Sequence, residues 1–300
     1  MATNDFLPFA VGGSANVLSQ SAYAALSAIA NGYSSGVAQS AALNKTWRQS
    51  SIMAAVLAQF IADETGVNSV DDGTTATLLA NLKNATPGRL LRVTSYTGGT
   101  FTWNKGAGTT AIRVRVQGPG GSGGGAPATG SGQVSIGSGG SSGSYGEGFF
   151  TTFPSSVTVT APVGPSGTVG AVGTNGSTAS FGALISAPGG LGGSKAGPSA
   201  PPFAPTGAGV PGPSTGGNII NTVGNGGGVA LPISTGVIGP ALGGSAVLGG
   251  GGVASTGGAG QPATGYGGGG GGTWIGPSVA AVAGGKGGDA IIIVEEFGSL

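Results

Sequence analysis

The chain has 300 residues, 69 of them glycine, with a net charge of +1 and neither cysteine nor histidine. Without those two residue types there are no disulfides, no Ser-His-Asp triad and no zinc site of the usual kind. The near-neutral balance offers nothing to nucleic acid or an anionic membrane surface, and no apolar run approaches the roughly 18 residues of a membrane span.

The start, "MATNDFLPFAVGG", reads as an extended apolar arm ending in a glycine pair, and its lack of a basic n-region argues against a signal peptide. Residues 19–30, "SQSAYAALSAIA", fit a short helix with Tyr23, Leu26 and Ile29 on one stripe. The strongest helix signal is "SSIMAAVLAQFIADETG": Ser50 or Ser51 can cap it and Gly66 can end it. Within it Ile52, Met53, Val56, Leu57, Phe60 and Ile61 recur at helical spacing. A second helix fits "TTATLLANLKNA", with Leu78, Leu79 and Leu82 inward. So few large apolar residues cannot close a self-sufficient core. The stripe is therefore expected to be an interface between copies, in a homotrimer. Residues 1–86 form this helical unit, and 87–89 form a linker in which Pro87 disfavours helix at Thr86.

Beyond the linker the period changes from helical to two. "LRVTSYT" and "TFTW" read as a hairpin around Gly98–Gly99. In "AIRVRVQ", Ile112, Val114 and Val116 face in while Arg113 and Arg115 face out, and "SVTVT" at 156–160 repeats the pattern. The closing "DAIIIVEEF" is apolar on both faces, which suits a covered central strand returning to pair near residues 111–117. Residues 90–300 are thus expected to form an all-β, glycine-rich domain closed at both ends.

Only seven glycines precede Gly98, and between Val116 and Gly285 the charged side chains are Glu147 and Lys195. A disordered solvating tract carries far more charge and fewer of the Val, Ile and Leu residues interspersed here. Ordering a glycine costs roughly 0.5–1 kcal/mol more than ordering an alanine, so an ordered tract needs compensating backbone hydrogen bonds. Polyglycine II helices, three residues per turn and bonded only sideways, supply them; the Gly-X-Y period of collagen is broken by Pro127.

Several chemical-looking motifs carry no weight. "GGKGGD" at 284–289 matches a calcium β-roll repeat, but such sites need tandem copies and Asp289 is the sole aspartate after Asp72. GxGxxG matches are inevitable in so glycine-rich a chain. Asp71–Asp72 reads as a turn before a helix, and Glu295 and Glu296, adjacent on a strand, point to opposite faces. No catalytic residue, metal ligand or cofactor is expected.

Three stretches together resemble phage tail-fibre proteins of Gram-negative hosts. "FLPFAVGGSANV", "SGVAQSAALNKTWRQSSIMAAVLAQFIADETG" and "DDGTTATLLANL" are similar to the N-terminal virion-attachment region of such fibres. "TFTWNKGAGTTAIRVRVQGPGGSGGG" is similar to the opening of their glycine-rich tip, and "STASFGALISAPGG" with "GGDAIIIVEEF" to its close. The resemblance implies a homotrimeric adhesin on a phage virion. Residues 1–86 would engage tail-tip or baseplate proteins, and the tip would bind a glycan, pilus or outer-membrane protein of the bacterial surface. It also implies polyglycine II helices in the tip, with host-contacting loops between them. No long shaft separates the two regions, so a short fibre is expected. A structural tail-tip component without receptor contact and an ice-binding protein are the alternatives.

A nearly uncharged tip leaves shape, backbone polar groups and aromatic faces for recognition. Tyr145, Phe149, Phe203, Tyr266 and Trp274 all lie beside glycine or proline, where turns expose side chains. Phe203 and Tyr266 are expected to be exposed with few apolar neighbours, and Phe149 and Trp274 equally suit covering strand edges. The proline-rich loop 197–217 is the next place to look.

Overall fold

A computed structural model describes residues 2–86, 88–203, 206–239 and 241–298. Internal contacts divide the chain into two compact units, with the boundary in sequence between Arg89 and Leu90. Pro87, on which the linker expectation rests, lies outside the described residues.

The first unit holds α1 (Gln20–Ala24), α2 (Ala28–Asn31), α3 (Ser40–Thr65) and α4 (Ala76–Asn84). One helix was expected over 19–30; it is broken into α1 and α2 around Ala25–Ser27. α3 starts ten residues before the expected caps. Ser50 and Ser51 lie inside it and bond back to the Thr46 and Arg48 carbonyls at 3.3 and 3.1 Å. Its extra turns are fixed by long-range contacts, Asn44 Nδ2 donating to Asn16 O and Tyr23 Oη meeting Thr46 Oγ1. Gly66 ends α3 as expected, at a φ of 67° that favours glycine. The arm lies along α3: Asn4 Nδ2 donates to Ala55 O and Phe9 N to Ser51 Oγ, both at 2.9 Å. Asn4 also pairs with Ser69, whose hydroxyl donates to Ala58 O at 2.7 Å. In α4, Leu78 and Leu82 are half-buried, but Leu79 points outward.

The second unit contains β1 (Arg89–Tyr96), β2 (Gly99–Asn104), β3 (Thr109–Gln117), β4 (Val134–Gly137), β5 (Tyr145–Phe150), β6 (Ser156–Ala161), β7 (Ala179–Phe181), β8 (Ile185–Ala187), β9 (Lys195–Ser199) and β10 (Ile220–Thr222). Shorter strands follow: β11 (Gly249–Gly250), β12 (Ser255–Thr256), β13 (Thr264–Gly265) and β14 (Thr273–Ile275), then β15 (Ile291–Gly298). Two sheets, β1-β15-β3-β5-β10 and β2-β6-β7-β8, face each other as a sandwich. Ile112, Val114 and Val116 of β3 and Ile292 and Val294 of β15 meet Trp103, Val159, Phe181 and Ile185 of the opposite sheet, all essentially solvent-free. The expected β1–β2 hairpin does not form. At Gly98, φ 74°, the chain crosses between the two sheets, and Tyr96 and Phe101 touch at 5.4 Å. β15 takes the central place expected of it, antiparallel to β3 with Ile292 opposite Val116 and Val294 opposite Val114.

Glycine-rich segments run out from the sandwich and back. Along 118–126, successive amides serve different neighbours. Gly118, Gly121 and Gly124 donate to Ser144, Ser141 and Ser138; Gly120, Gly123 and Ala126 to Gly288, Gly285 and Val282; Ser122 and Gly125 to Thr174 and Ala171. Segment 138–144 repeats the rule toward 188–194, 225–228 and 267–270. Each segment is thus bonded in three directions with a period of three. The spacing leaves no room for a Cβ: one on Gly137 would stand 1.8 Å from the Gly124 carbonyl oxygen, and one on Gly123 2.0 Å from that of Gly271.

Candidate functional site

Away from the sandwich, β4 pairs with β9 and β14 to form the sheet β12-β14-β4-β9, and the connecting loops gather there. A small core anchors this far end. Ile136, Ala230 and Ala241 are buried, and Ala196, Phe203, Ile238 and Trp274 pack against them. Thr129 Oγ1 donates to Gly276 O at 2.6 Å and ties loop 127–133 to loop 276–280. The loop after Ala230 exposes Leu231, Ile233 and Val237, and closes on itself through Ile233 N donating to Val237 O at 3.0 Å. The one charged side chain here, Lys195, donates its Nζ to Gly170 O at 3.1 Å.

The five aromatic residues singled out in the sequence do not form one site. Phe203 and Trp274 share the far-end core, so Phe203 has the apolar neighbours it was expected to lack. Trp274 remains half-exposed, and its Nε1 donates to Thr256 Oγ1 at 3.2 Å. Tyr145 is buried in β5 rather than exposed at a turn, and Phe149 packs on Phe297 at 5.8 Å. Tyr266 is half-exposed; its amide donates to Leu248 O at 3.2 Å, and the following Gly267 abuts Gln117 at the end of β3. Within loop 197–217, Ala204 and Pro205 lie outside the described residues.

Two carboxylates were missed as structural centres. Glu296, 1% exposed, accepts from Arg92 Nε at 2.7 Å and Nη2, Trp103 Nε1 at 2.9 Å, Gly106 N at 2.9 Å and Thr109 Oγ1 at 2.8 Å. Burial pushes its pKa up, but the hydrogen bonds from Thr109, Arg92, Gly106 and Trp103 outweigh that and hold it below the ordinary carboxylate value. Glu147 accepts from Tyr145 Oη at 2.7 Å and Arg113 Nε at 2.7 Å. It is likewise held low against its burial. Burial, then the bond to Glu147, pushes the Tyr145 hydroxyl well above its ordinary value. Glu295, on the opposite face from Glu296, pairs with Arg115. The alternation along β15 puts Glu296 on the side of Ile292 and Val294, and that parity was the signal in the sequence for its burial. Both carboxylates are saturated with donors, and their role is to fasten strands.

The stripe of α3 divides. Ile52, Met53, Val56, Leu57 and Phe60 are 37–68% exposed, whereas Ile61 is buried within the unit at 1% and belongs to its core. The helix packs inward chiefly through small residues, Ala42, Ala55, Ala58 and Ala62. Its large apolar side chains face out, beside Leu7 and Val11 of the arm.

Among the described residues no helix is long and apolar enough to cross a membrane, and no group of His, Cys, Asp or Glu could hold a metal ion. In comparisons with known proteins, no family model matches the chain and no curated protein matches it.

Proposed function

We propose that this chain is a phage tail-fibre adhesin: residues 1–86 join it to the virion, and the far end of the glycine-rich unit meets the bacterial surface. The observation that carries the reading is the architecture of that end. Loops 127–133, 231–238 and 276–280 stand on a bundle whose backbones are bonded every third residue, the arrangement expected of packed polyglycine II helices. Such a bundle holds loops rigidly while contributing almost no side chains of its own, which suits a scaffold for recognition rather than catalysis. Apart from Lys195, whose Nζ is held by the Gly170 carbonyl, the exposed groups named there are apolar: Leu231, Ile233, Val237 and the half-exposed Trp274. Contact therefore rests on shape and apolar area, not on charge steering.

The test is twofold. Antibody raised against the chain should label the tail end of virions in electron micrographs, and the labelled full-length chain should bind intact cells that the phage infects but not a resistant derivative. Virion labelling without cell binding would instead support a structural tail-tip component.

A further inference from the structure

Asparagine is followed directly by glycine three times in the chain, at Asn31–Gly32, Asn175–Gly176 and Asn225–Gly226. In such a pair the main-chain nitrogen of the glycine can attack the asparagine side-chain amide, because glycine puts no Cβ in the way. The fold treats the three pairs differently. Gly32 N donates to Ala28 O at 2.9 Å and Gly176 N to Gly190 O at 2.8 Å, so both nitrogens are engaged. Asn175 is held as well, its Oδ1 accepting from Gly192 N at 2.8 Å. Gly226 N has no partner among the described residues, and both Asn225 and Gly226 are exposed. The side chain of Asn225 makes one bond, its Nδ2 donating to Ser245 O at 2.6 Å, and its Oδ1 meets no donor among the described residues.

We propose that Asn225 is a site of spontaneous deamidation. Gly226 N bonds to Cγ of Asn225 and gives up its proton; the Cγ–Nδ2 bond breaks and ammonia leaves, closing a succinimide. Water then opens the ring at either carbonyl and leaves aspartate or isoaspartate. The consequence follows from where the residue sits. Segment 223–229 runs into the loop that exposes Leu231, Ile233 and Val237. It is pinned by Ser142 N donating to Asn225 O at 2.9 Å and Gly139 N to Gly228 O at 3.0 Å, the same three-residue step on both segments. Isoaspartate inserts a methylene into the main chain between those two bonds, so the steps no longer match. Aspartate instead puts a carboxylate where Nδ2 donated, and two acceptors then face each other at Ser245 O. Either product loosens the footing of the loop. The modification is a property of the chain's own chemistry, so it holds or fails independently of what the far end binds.

The test is peptide mass mapping of the purified full-length chain as it ages in neutral buffer. Asn225 should lose its amide about tenfold faster than Asn31 or Asn175, the order of factor that one engaged glycine nitrogen supplies. Equal loss at the three pairs, or faster loss at either of the other two, overturns the proposal. Gly226→Ala isolates the chemistry. Its Cβ would lie 3.5 Å from Ala208 O and 3.6 Å from Val210 Cγ1, ordinary contact, and φ is outside the left-handed region, so the variant keeps the fold. The added methyl hinders the attack, and loss at Asn225 should slow by about tenfold or more. Loss at the wild-type rate in this variant would mean that the Gly226 nitrogen is not the attacking group. Hydrogen exchange reads the effect on the bundle. The Ser142 and Gly139 amides should exchange faster in aged wild-type chain than in equally aged Gly226→Ala, while those of Gly118 and Gly121 stay slow in both. Equal exchange of Ser142 and Gly139 in the two would overturn the loosening of the loop's footing.

Discussion

Gly120 and Gly268 approach so closely that a Cβ on Gly120 would stand 1.8 Å from the Gly268 carbonyl oxygen. Backbone meets backbone there, and no flexible side chain can yield. At Gly212 a Cβ would meet nothing within 4 Å, and φ is not in the left-handed region. Gly120→Ala should therefore lower stability by more than about 3 kcal/mol, beyond ordinary overpacking. Gly212→Ala should be neutral or raise it by about 0.4–1 kcal/mol through the unfolded chain. Thermal melts of the two variants decide; equal effects would mean that the glycine segments are not packed.

Hydrogen exchange is the second check. The amides of Gly118, Gly121 and Gly124, and of Gly120 and Gly123, are bonded inside the bundle and buried. They should exchange by opening of the whole unit, as slowly as those of β3 and β15. Fast exchange through residues 118–126 and 138–144 is the outcome that sinks the packed arrangement.

Acid should act through Glu147 and Glu296. Both carboxyls are held below their ordinary value of 4.5 in the fold, so they add stability that is present above that pH and lost as pH falls through the lowered values. Tyr145 is raised above its ordinary 10.0, so its contribution is intact below that pH and lost only in strong base. From these groups stability should be flat between about pH 5 and 9 and fall below about pH 4.5. Glu296→Gln removes the charge facing Arg92 and should cost about 3 kcal/mol at neutral pH while reducing the acid sensitivity. A melt–pH curve that matches wild type in shape would refute this role.

The aromatic residues should now separate by environment. Phe203→Ala and Trp274→Ala strip the far-end core and should cost about 2 kcal/mol, less than a fully buried ring because both are partly exposed. Tyr266→Ala, half-exposed and stacked on no aromatic ring among the described residues, and Ile233→Ser, 64% exposed, should leave the melting temperature nearly unchanged. If the far end meets the cell surface, Ile233→Ser weakens adsorption and Tyr266→Ala, just ahead of the glycine that abuts β3, does not.

How much of this was legible depended on whether the signal was local. Alternation alone placed Val114 and Val116 inside, and the apolar run 291–294 fixed β15 as a central strand. The β1–β2 hairpin failed because Gly98–Gly99 permits a tight turn and a sheet-to-sheet crossing equally well. The choice is made by β15 pairing with β1 from nearly two hundred residues away. α3 was drawn too short because its first turns carry no apolar stripe and are held by Asn16 and Tyr23. Tyr145 was misplaced because glycine on its flank signalled a turn, whereas Gly146 and Gly148 are strand residues pressed against Ser214 and Phe150. The far-end cluster of Ile136, Ala230 and Ala241 joins residues with no shared local pattern, and only the threading of the bundle brings them together.

The central position of β15 also bears on synthesis. β3 emerges from the ribosome far ahead of Ile291, and until that residue follows, its neighbour in the sheet is missing. Contacts this distant in sequence form slowly and late. A polypeptide that ends anywhere in the intervening glycine-rich segments thus leaves β1 and β3 without the strand that joins them. Such a product exposes unpaired strand edges, which invite aggregation and proteolysis.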